Sequence, residues 1–511
     1  MTAETIVSIN PTTGAEVEEV TTATSREELE EVCRFAAAAF AQLAERDRAF
    51  RGKLLRAMAD ALEARSADIV SLGVRETGLP RARLEGELTR TAYQARLFAD
   101  VVDEGGYVEA TIDHASDTPM GPRPDLRRML VATGPVAVFG ASNFPLAFSV
   151  PGGDTMSALA AGCPVVVKAH NSHPALSVLV HGILRAAADS AGAPVGTIGI
   201  VHGREAGTLL VQHPVISAVG FTGSLEGGRA LMRLIEQRPT PIPFYGELAS
   251  LNPVLVTQAA AAARGTAFAE GLVQSLTGSG GQLCTKPGLV LVPHGPAGDA
   301  LVDAAGALVA AQPAATLLNE RIRDGYEEAS EGLRRIPGLR VVAEGENPVG
   351  QGFAVAARLL SMEARDLVGA QIGECFGPAT VVARYAEAEL VDVLDSLPGS
   401  LTATIHSEAG EDIHALVRAL LPKAGRLLFD GFPTGVAVSW AQHHGGPWPA
   451  TNTQHTSVGT TAIRRFLRPV TWQSAPVDVL PGELHDDCTS IARRVDGQLI
   501  VPAVPDREGT R

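Results

Sequence analysis

Apolar and polar positions along the chain change period near residue 131. Before that point the spacing is helical. Ser25 followed by Glu28 is the signature of a capping box. Leu29, Val32, Ala36, Phe40 and Leu43 then recur three and four residues apart, and Leu55, Met58, Leu62, Ile69 and Leu72 continue the stripe. Residues 25–78 are therefore read as helices, with Gly78 and Pro80 as the stop. Beyond 131 short apolar runs alternate with helical stretches. Strands are expected at 136–140, 164–168, 197–201 and 216–223, and helices at 174–189, 204–212 and 225–236. A second alternating region runs from about 248 to 440. It has strands at 252–256, 288–292, 378–385 and 401–406 and a helix at 259–276. After 440 the chain turns irregular, and its end offers one strand and a polar tail. Buried strands alternating with helices indicate βαβ units and parallel sheets, which take ligands beyond the carboxyl ends of their strands.

Length and composition sharpen this picture. A chain of 511 residues points to two or three domains. With 53 Gly and only 5% aromatics, it reads as α/β with close helix–sheet packing. The formal net charge is −15 and no run of five basic residues occurs, which argues against nucleic acid as a partner. The amino-terminal stretch MTAETIVSINPTTG lacks the basic and apolar regions of a signal peptide. The longest apolar zone, 129–151, is broken by Gly134, Pro135, Gly140, Ser142, Asn143 and Pro145, so no membrane span is expected. Five widely spaced cysteines with no CxxC pair suit a reduced, cytoplasmic protein better than a disulfide framework or a zinc site.

Three stretches carry candidate chemistry. In TGSGGQLCTKPG (277–288), Cys284 follows Gly278, Gly280 and Gly281, which clear side chains from the approach to its sulfur and allow unusual backbone angles. A nucleophile and a structural cysteine in a glycine-rich turn both fit. In FYGELASLNPV (244–254), Glu247 stands among apolar residues, either as a base or as a carboxylate bonded to backbone. In GASNFPLAF (140–148), Asn143 follows a strand, either as an oxyanion donor or as a turn residue. His443 and His444 are adjacent, but no acid or cysteine lies at ligand spacing from them, so no metal site is expected.

Taken in order, the helical start, GASNFPLAF, PVVVKAH, GFTGSLEGGRAL, GELASLNPV, GQLCTKPG, GECFGP and LTATIHSE resemble the aldehyde dehydrogenase superfamily through nearly the whole chain. The resemblance implies two doubly wound parallel-sheet domains and a small β oligomerisation element. The cofactor-binding domain would take 1–107 and 132–247, the oligomerisation element 108–131 and 471–511, and the catalytic domain 248–470. It implies that Cys284 attacks an aldehyde, that Asn143 and the Cys284 N–H hold the oxyanion, and that Glu247 activates water against the resulting thioester. Lys168 would meet the adenosine ribose. Asn171 stands where members that prefer NAD often have Glu, so a 2′-phosphate meets less repulsion, with Arg204 as a second partner. NADP, or use of both NADP and NAD, is expected. Gly223, Gly228 and Ser224 would lie by the pyrophosphate at a helix start, and Glu374 and Phe376 by the nicotinamide ribose. By order, Phe144, Phe148 and Trp440 would line the substrate pocket.

Residues 431–470, with HGGPWPAT and the TSVGT…AIRRFLRPV segment, resemble the α-ketoglutaric semialdehyde (2,5-dioxopentanoate) dehydrogenases. Relatives of that group include NADP-dependent fatty aldehyde dehydrogenases, which leaves fatty and other semialdehydes open. The group also implies a homo-oligomer, dimer or tetramer. Three rivals are weighed. A CoA-acylating relative would generally lack Glu247. A non-catalytic member of the family would not keep Cys284, Glu247 and Asn143 together. A cofactor-free cysteine hydrolase would need a histidine poised on Cys284, and the sequence shows none.

Overall fold

A computed structural model describes residues 4–370 and 372–502. Five parallel strands form the first sheet: β1 Val136–Phe139, β2 Val165–Lys168, β3 Ile198–Val201, β4 Ala218–Thr222 and β5 Phe244–Glu247, in the order β5-β4-β1-β2-β3. Helices cover both faces, so Val136, Val138, Val165 and Val167 are almost wholly buried, which is why these strands read as unbroken apolar runs. The order reverses between β1 and β4, and the carboxyl ends of the strands at such a reversal are where open parallel sheets take ligands.

The second sheet has seven strands: β6 Val254–Val256, β7 Leu289–Pro293, β8 Arg340–Glu344, β9 Arg358–Glu363, β10 Ala379–Tyr385, β11 Ser400–His406 and β12 Ala424–Phe429. Their order is β8-β9-β10-β7-β6-β11-β12, and only β8 runs antiparallel to its neighbour. The helix Gln258–Thr277 packs over β6 and β7, with Phe268, Leu272 and Leu276 buried against Val254, Val256 and Val290.

A third sheet joins distant parts of the chain. Leu126–Ala132 pairs antiparallel with Leu467–Gln473 and with Thr111–Asp113, which pairs parallel with Arg493–Val495, itself in a hairpin with Gln498–Ile500. The carboxyl-terminal stretch thus supplies two short strands where one was expected. Residues 503–511, most of the expected polar tail, lie outside the described residues. An amino-terminal hairpin, Thr5–Asn10 with Ala15–Thr22, had no clear signal in the sequence.

The capping box forms as read. The Glu28 N–H donates to Ser25 Oγ at 3.2 Å, and the Ser25 N–H donates to Glu28 Oε2 at 2.8 Å. The helical region does not stop at Pro80, however. Gly78 (φ 64°) ends the helix Ser66–Thr77, and Pro80 is the N-cap of a further helix, Arg81–Glu104, of 24 residues. A proline lacks the N–H that an amino-terminal turn leaves unpaired, so it opens a helix as readily as it closes one. This helix matters because its face meets the 140–149 loop.

Candidate active site

Cys284 precedes β7, at the amino end of the second sheet. Glu247 ends β5, at the carboxyl end of the first, paired in register with Thr222 of β4. Asn252, in the link between the sheets, fixes the cysteine loop: its Nδ2 donates to the Cys284 carbonyl at 2.8 Å and to the Lys286 carbonyl at 3.0 Å. The loop itself is tight. Ser279, Gly280 and Gly281 take positive φ of 54°, 64° and 69°. A Cβ on Gly281 would lie 2.3 Å from the Gly377 backbone. This glycine therefore lets the loop press on residues 377–378, instead of clearing space at the sulfur as the sequence suggested.

His444 completes the centre. Its Nε2 lies 2.9 Å from Glu247 Oε1 and 3.5 Å from Cys284 Sγ, and Ser457 Oγ donates to Glu247 Oε2 at 2.6 Å. Donor atoms of Glu247, Cys284 and His444 all lie within 4.8 Å of one another. No acid or cysteine stands at ligand spacing from His444 along the chain, yet the fold brings Glu247 and Cys284 to it and so places a histidine beside Cys284 that no sequence feature showed. The partners are 160 and 197 residues from His444 along the chain, so spacing carried no signal. Locally the segment does brace itself: the His444 N–H donates to Thr456 Oγ1 at 2.7 Å and the Ser457 N–H to the His444 carbonyl at 2.9 Å.

Electrostatics here are set by burial. Glu247 is 3% exposed and His444 2%. Burial alone would raise the Glu247 carboxyl, but His444, Ser457 and Cys284 together hold it below its ordinary value. The Cys284 thiol is pushed well up, first by burial, then by Glu247 and Glu374, with Arg90 pulling down. Burial lifts Glu374 to about 7, although Lys286 and a hydrogen bond from the Ser250 backbone oppose the rise. The thiol thus needs a base to ionise near neutral pH, and the Glu247 carboxylate, steadied by the His444 Nε2–H, lies within 4.8 Å of it.

Asn143, 8% exposed, donates through Nδ2 to the Gln282 carbonyl at 2.8 Å, which ties it to the cysteine loop and leaves its second N–H uncommitted. Among the described residues the Cys284 N–H finds no acceptor. Phe144 and Phe148 meet edge to face at 5.3 Å, and Phe148 lies 6.3 Å from the His444 ring. Trp440 is 54% exposed and stands outside that buried cluster. Nearby, Glu87 accepts from the Leu146 and Ala147 N–H groups at 2.8 Å each, and pairs with Arg83. Neither residue was singled out in the sequence, because their helix was not foreseen.

On the nucleotide side, Lys168 ends β2 and its Nζ donates to Asn171 Oδ1 at 3.0 Å. Burial lowers this ammonium to about 8, and among the described residues no carboxylate pairs with it. A cation so placed fits an incoming phosphate. Arg204, exposed, opens the helix after β3. Ser224 caps the helix Leu225–Glu236 by accepting the Gly227 N–H at 3.1 Å, and Gly223 and Ser224 are exposed just beyond the carboxyl end of β4. Gly228 is buried, and a Cβ there would meet the tip of Leu248 at 2.3 Å. Phe376 is part-buried just beyond Glu374.

Two doubly wound parallel sheets, with a thiol, an imidazole and a carboxylate meeting between them, describe an α/β enzyme. Residues 1–464 match the aldehyde dehydrogenase family. The chain belongs to that family and is an oxidoreductase that converts aldehydes to acids. The α-ketoglutaric semialdehyde dehydrogenase 2 of Azospirillum brasilense is 46% identical over 488 residues, covering 92% of this chain and 91% of its own. The α-ketoglutaric semialdehyde dehydrogenase of Acinetobacter baylyi is 41% identical over 515 residues, covering 97% and 96%. The fold is shared with an aldehyde dehydrogenase from Bacillus cereus solved as its NAD+ complex, with a TM-score of 0.78 at 21% identity, covering 92% of this chain and 93% of that one.

Proposed function

We propose that this chain oxidises 2,5-dioxopentanoate (α-ketoglutaric semialdehyde) to α-ketoglutarate with NADP, NAD serving as a second cofactor. The observation that carries the chemistry is the unbroken contact from Cys284 Sγ through His444 Nε2 to Glu247 Oε1. The two α-ketoglutaric semialdehyde dehydrogenases at 46% and 41% identity support the substrate.

In this reading the thiol proton passes to Glu247, which has an oxygen within 4.8 Å of the sulfur and is held by the His444 Nε2–H and Ser457 Oγ, and from there to water before Glu247 acts again. The thiolate forms a C–S bond to the aldehyde carbon, and the oxyanion is met by the Asn143 amide and the Cys284 N–H. Lys168, with Arg204, would hold the adenosine end of the cofactor, and Glu374 its nicotinamide ribose. When bound, the nicotinamide supplies the hydride acceptor. Loss of hydride from carbon leaves a thioester on Cys284. Glu247 then takes a proton from the attacking water, the C–S bond breaks, and the acid departs. The first sheet and the helices of 1–107 and 132–247 would serve the cofactor, and 248–470 the nucleophile. The third sheet, built from 108–131 and the carboxyl-terminal stretch, would join copies of a cytoplasmic homo-oligomer. Leu499, Ile500 and Val501, all exposed on or next to its edge strand, support that role.

A histidine beside the thiol is also a feature of cofactor-free cysteine hydrolases, although here its Nε2 is held by Glu247. The two readings part in one assay: 2,5-dioxopentanoate with NADP or NAD, followed by absorbance of the reduced cofactor. Cofactor reduction that matches acid release is expected. No reduction with this or any other aldehyde, together with ester hydrolysis in the absence of nucleotide, would favour the hydrolase. Reduction with long-chain aldehydes only would favour the fatty aldehyde alternative.

A further inference from the structure

The helix Arg81–Glu104 turns a polar stripe toward the site: Arg83, Glu87, Arg90 and Gln94, at intervals of four, three and four. Three of the four have structural work. Glu87 holds the Leu146 and Ala147 N–H groups and pairs with Arg83. Arg83 donates to Ser279 Oγ and to the Asn143 carbonyl, both at 3.3 Å, and covers the Phe144 ring at 4.4 Å. Gln94 Oε1 accepts from Arg90.

Arg90 is different. Among the described residues it pairs with no carboxylate. Its Nε donates to the Val436 carbonyl and its Nη1 to Gln94 Oε1, both at 3.4 Å, the long end of the range. Its Nη2 is buried with no partner at all, alone among terminal guanidinium nitrogens of the described residues. The guanidinium lies 5.2 Å over Phe148, the ring that faces His444. Its charge also reaches the sulfur of Cys284. A guanidinium presents donors in a planar fork suited to a carboxylate, and a buried one left unpaired is costly unless something completes it. A surface of net charge −15 gives an anionic substrate little reason to approach without such a cation.

We propose that Arg90 is the specificity residue for the far carboxylate of the substrate. It grips that group while Phe144 and Phe148 flank the carbon chain and the aldehyde carbon meets Cys284. This rests on the aldehyde-acid reading given above and names the residue behind it. Arg426 is the alternative cation. Its charge also reaches Cys284, but its Nη1 and Nη2 are committed to the Gly435 and Pro433 carbonyls at 3.3 and 2.8 Å.

The test compares wild type, Arg90→Met, Arg90→Lys and Arg426→Met on two substrates, 2,5-dioxopentanoate and pentanal, with glutarate as a competitive probe of the carboxylate site. Arg90→Met is expected to cut the acid-to-pentanal ratio of kcat/KM by about 100-fold, chiefly through KM for the acid, and to abolish glutarate inhibition. Arg90→Lys is expected to recover part of both. Equal losses on the two substrates would mean a structural role for Arg90 and overturn the proposal. So would an unaltered ratio, or a collapse caused by Arg426→Met instead. A wild type that shows no preference for the acid and no glutarate inhibition would remove the aldehyde-acid reading, and Arg90's role with it.

Discussion

Glu247 has two opposed effects on Cys284, and they can be separated. As a carboxylate within 4.8 Å of the sulfur, it disfavours the thiolate. At an effective dielectric constant of 20, that repulsion is about 3.5 kcal/mol, and under bulk-water screening about 0.9 kcal/mol. Glu247→Gln removes the charge and keeps the shape. Below the thiol pKa the thiolate fraction would then rise by between about fourfold and about 300-fold, each 1.4 kcal/mol being tenfold. A less basic thiolate is also a weaker nucleophile, which takes back nearly half of that gain on a logarithmic scale. The net expectation at pH 7 is a rise of between about twofold and about 25-fold in the rate of reaction with neutral dithiodipyridine. Cys33, Cys163 and Cys375 are buried, so only Cys488 competes, and a Cys284→Ser protein supplies the subtraction. A rate that fell in Glu247→Gln would refute the reasoning: it would mean that the carboxylate serves the sulfur only as a base and that its charge is screened out.

Three further outcomes follow from the same geometry. His444→Ala is expected to lower kcat/KM by about 100-fold, because Glu247 loses the Nε2–H that positions it beside the sulfur, and full activity would remove His444 from the chemistry. Glu374, raised to about 7, is neutral in the fold at pH 5 but would ionise there when unfolded, so the fold loses stability as pH rises from the ordinary carboxylate range through 7. The melting temperature of Glu374→Gln, relative to wild type, is therefore expected to rise between pH 5 and 7.5, and parallel curves would contradict the assignment. Asn171→Glu places a carboxylate beside the Lys168 ammonium and is expected to lower the NADP-to-NAD ratio of kcat/KM by about tenfold, and an unaltered ratio would count against a 2′-phosphate there.

The parallel sheets were legible because their strands are buried on both faces, so Val165–Lys168 and Leu289–Pro293 read as short apolar runs between helical stretches. The helix Arg81–Glu104 was not. Its apolar stripe of Leu84, Leu88, Ala92, Ala95, Phe98 and Val102 was there to be read, but Gly78 and Pro80 read as the end of the helical region, and the second inward stripe of Arg83, Glu87, Arg90 and Gln94 is polar. Cys284, Glu247 and Asn143 could be picked out because each stands next to a strand or a glycine turn. His444 could not, because its meaning depends on folding 443–457 back over the end of β5, where Thr451 bridges to Glu247. Of the two reasons for noticing the glycines of the cysteine loop, unusual backbone angles hold at Gly280 and Gly281, whereas Gly281 serves packing against Gly377 instead of clearing the sulfur.

The account stands on a thioester held by Cys284 and released by Glu247. Mixing Glu247→Gln with 2,5-dioxopentanoate and NADP, then weighing the quenched protein by mass spectrometry, tests this directly. One equivalent of reduced cofactor, followed by a stall with the acyl group found on the Cys284 peptide, is the predicted result. Continued turnover at the wild-type rate, or an acyl group on any other residue, would contradict it.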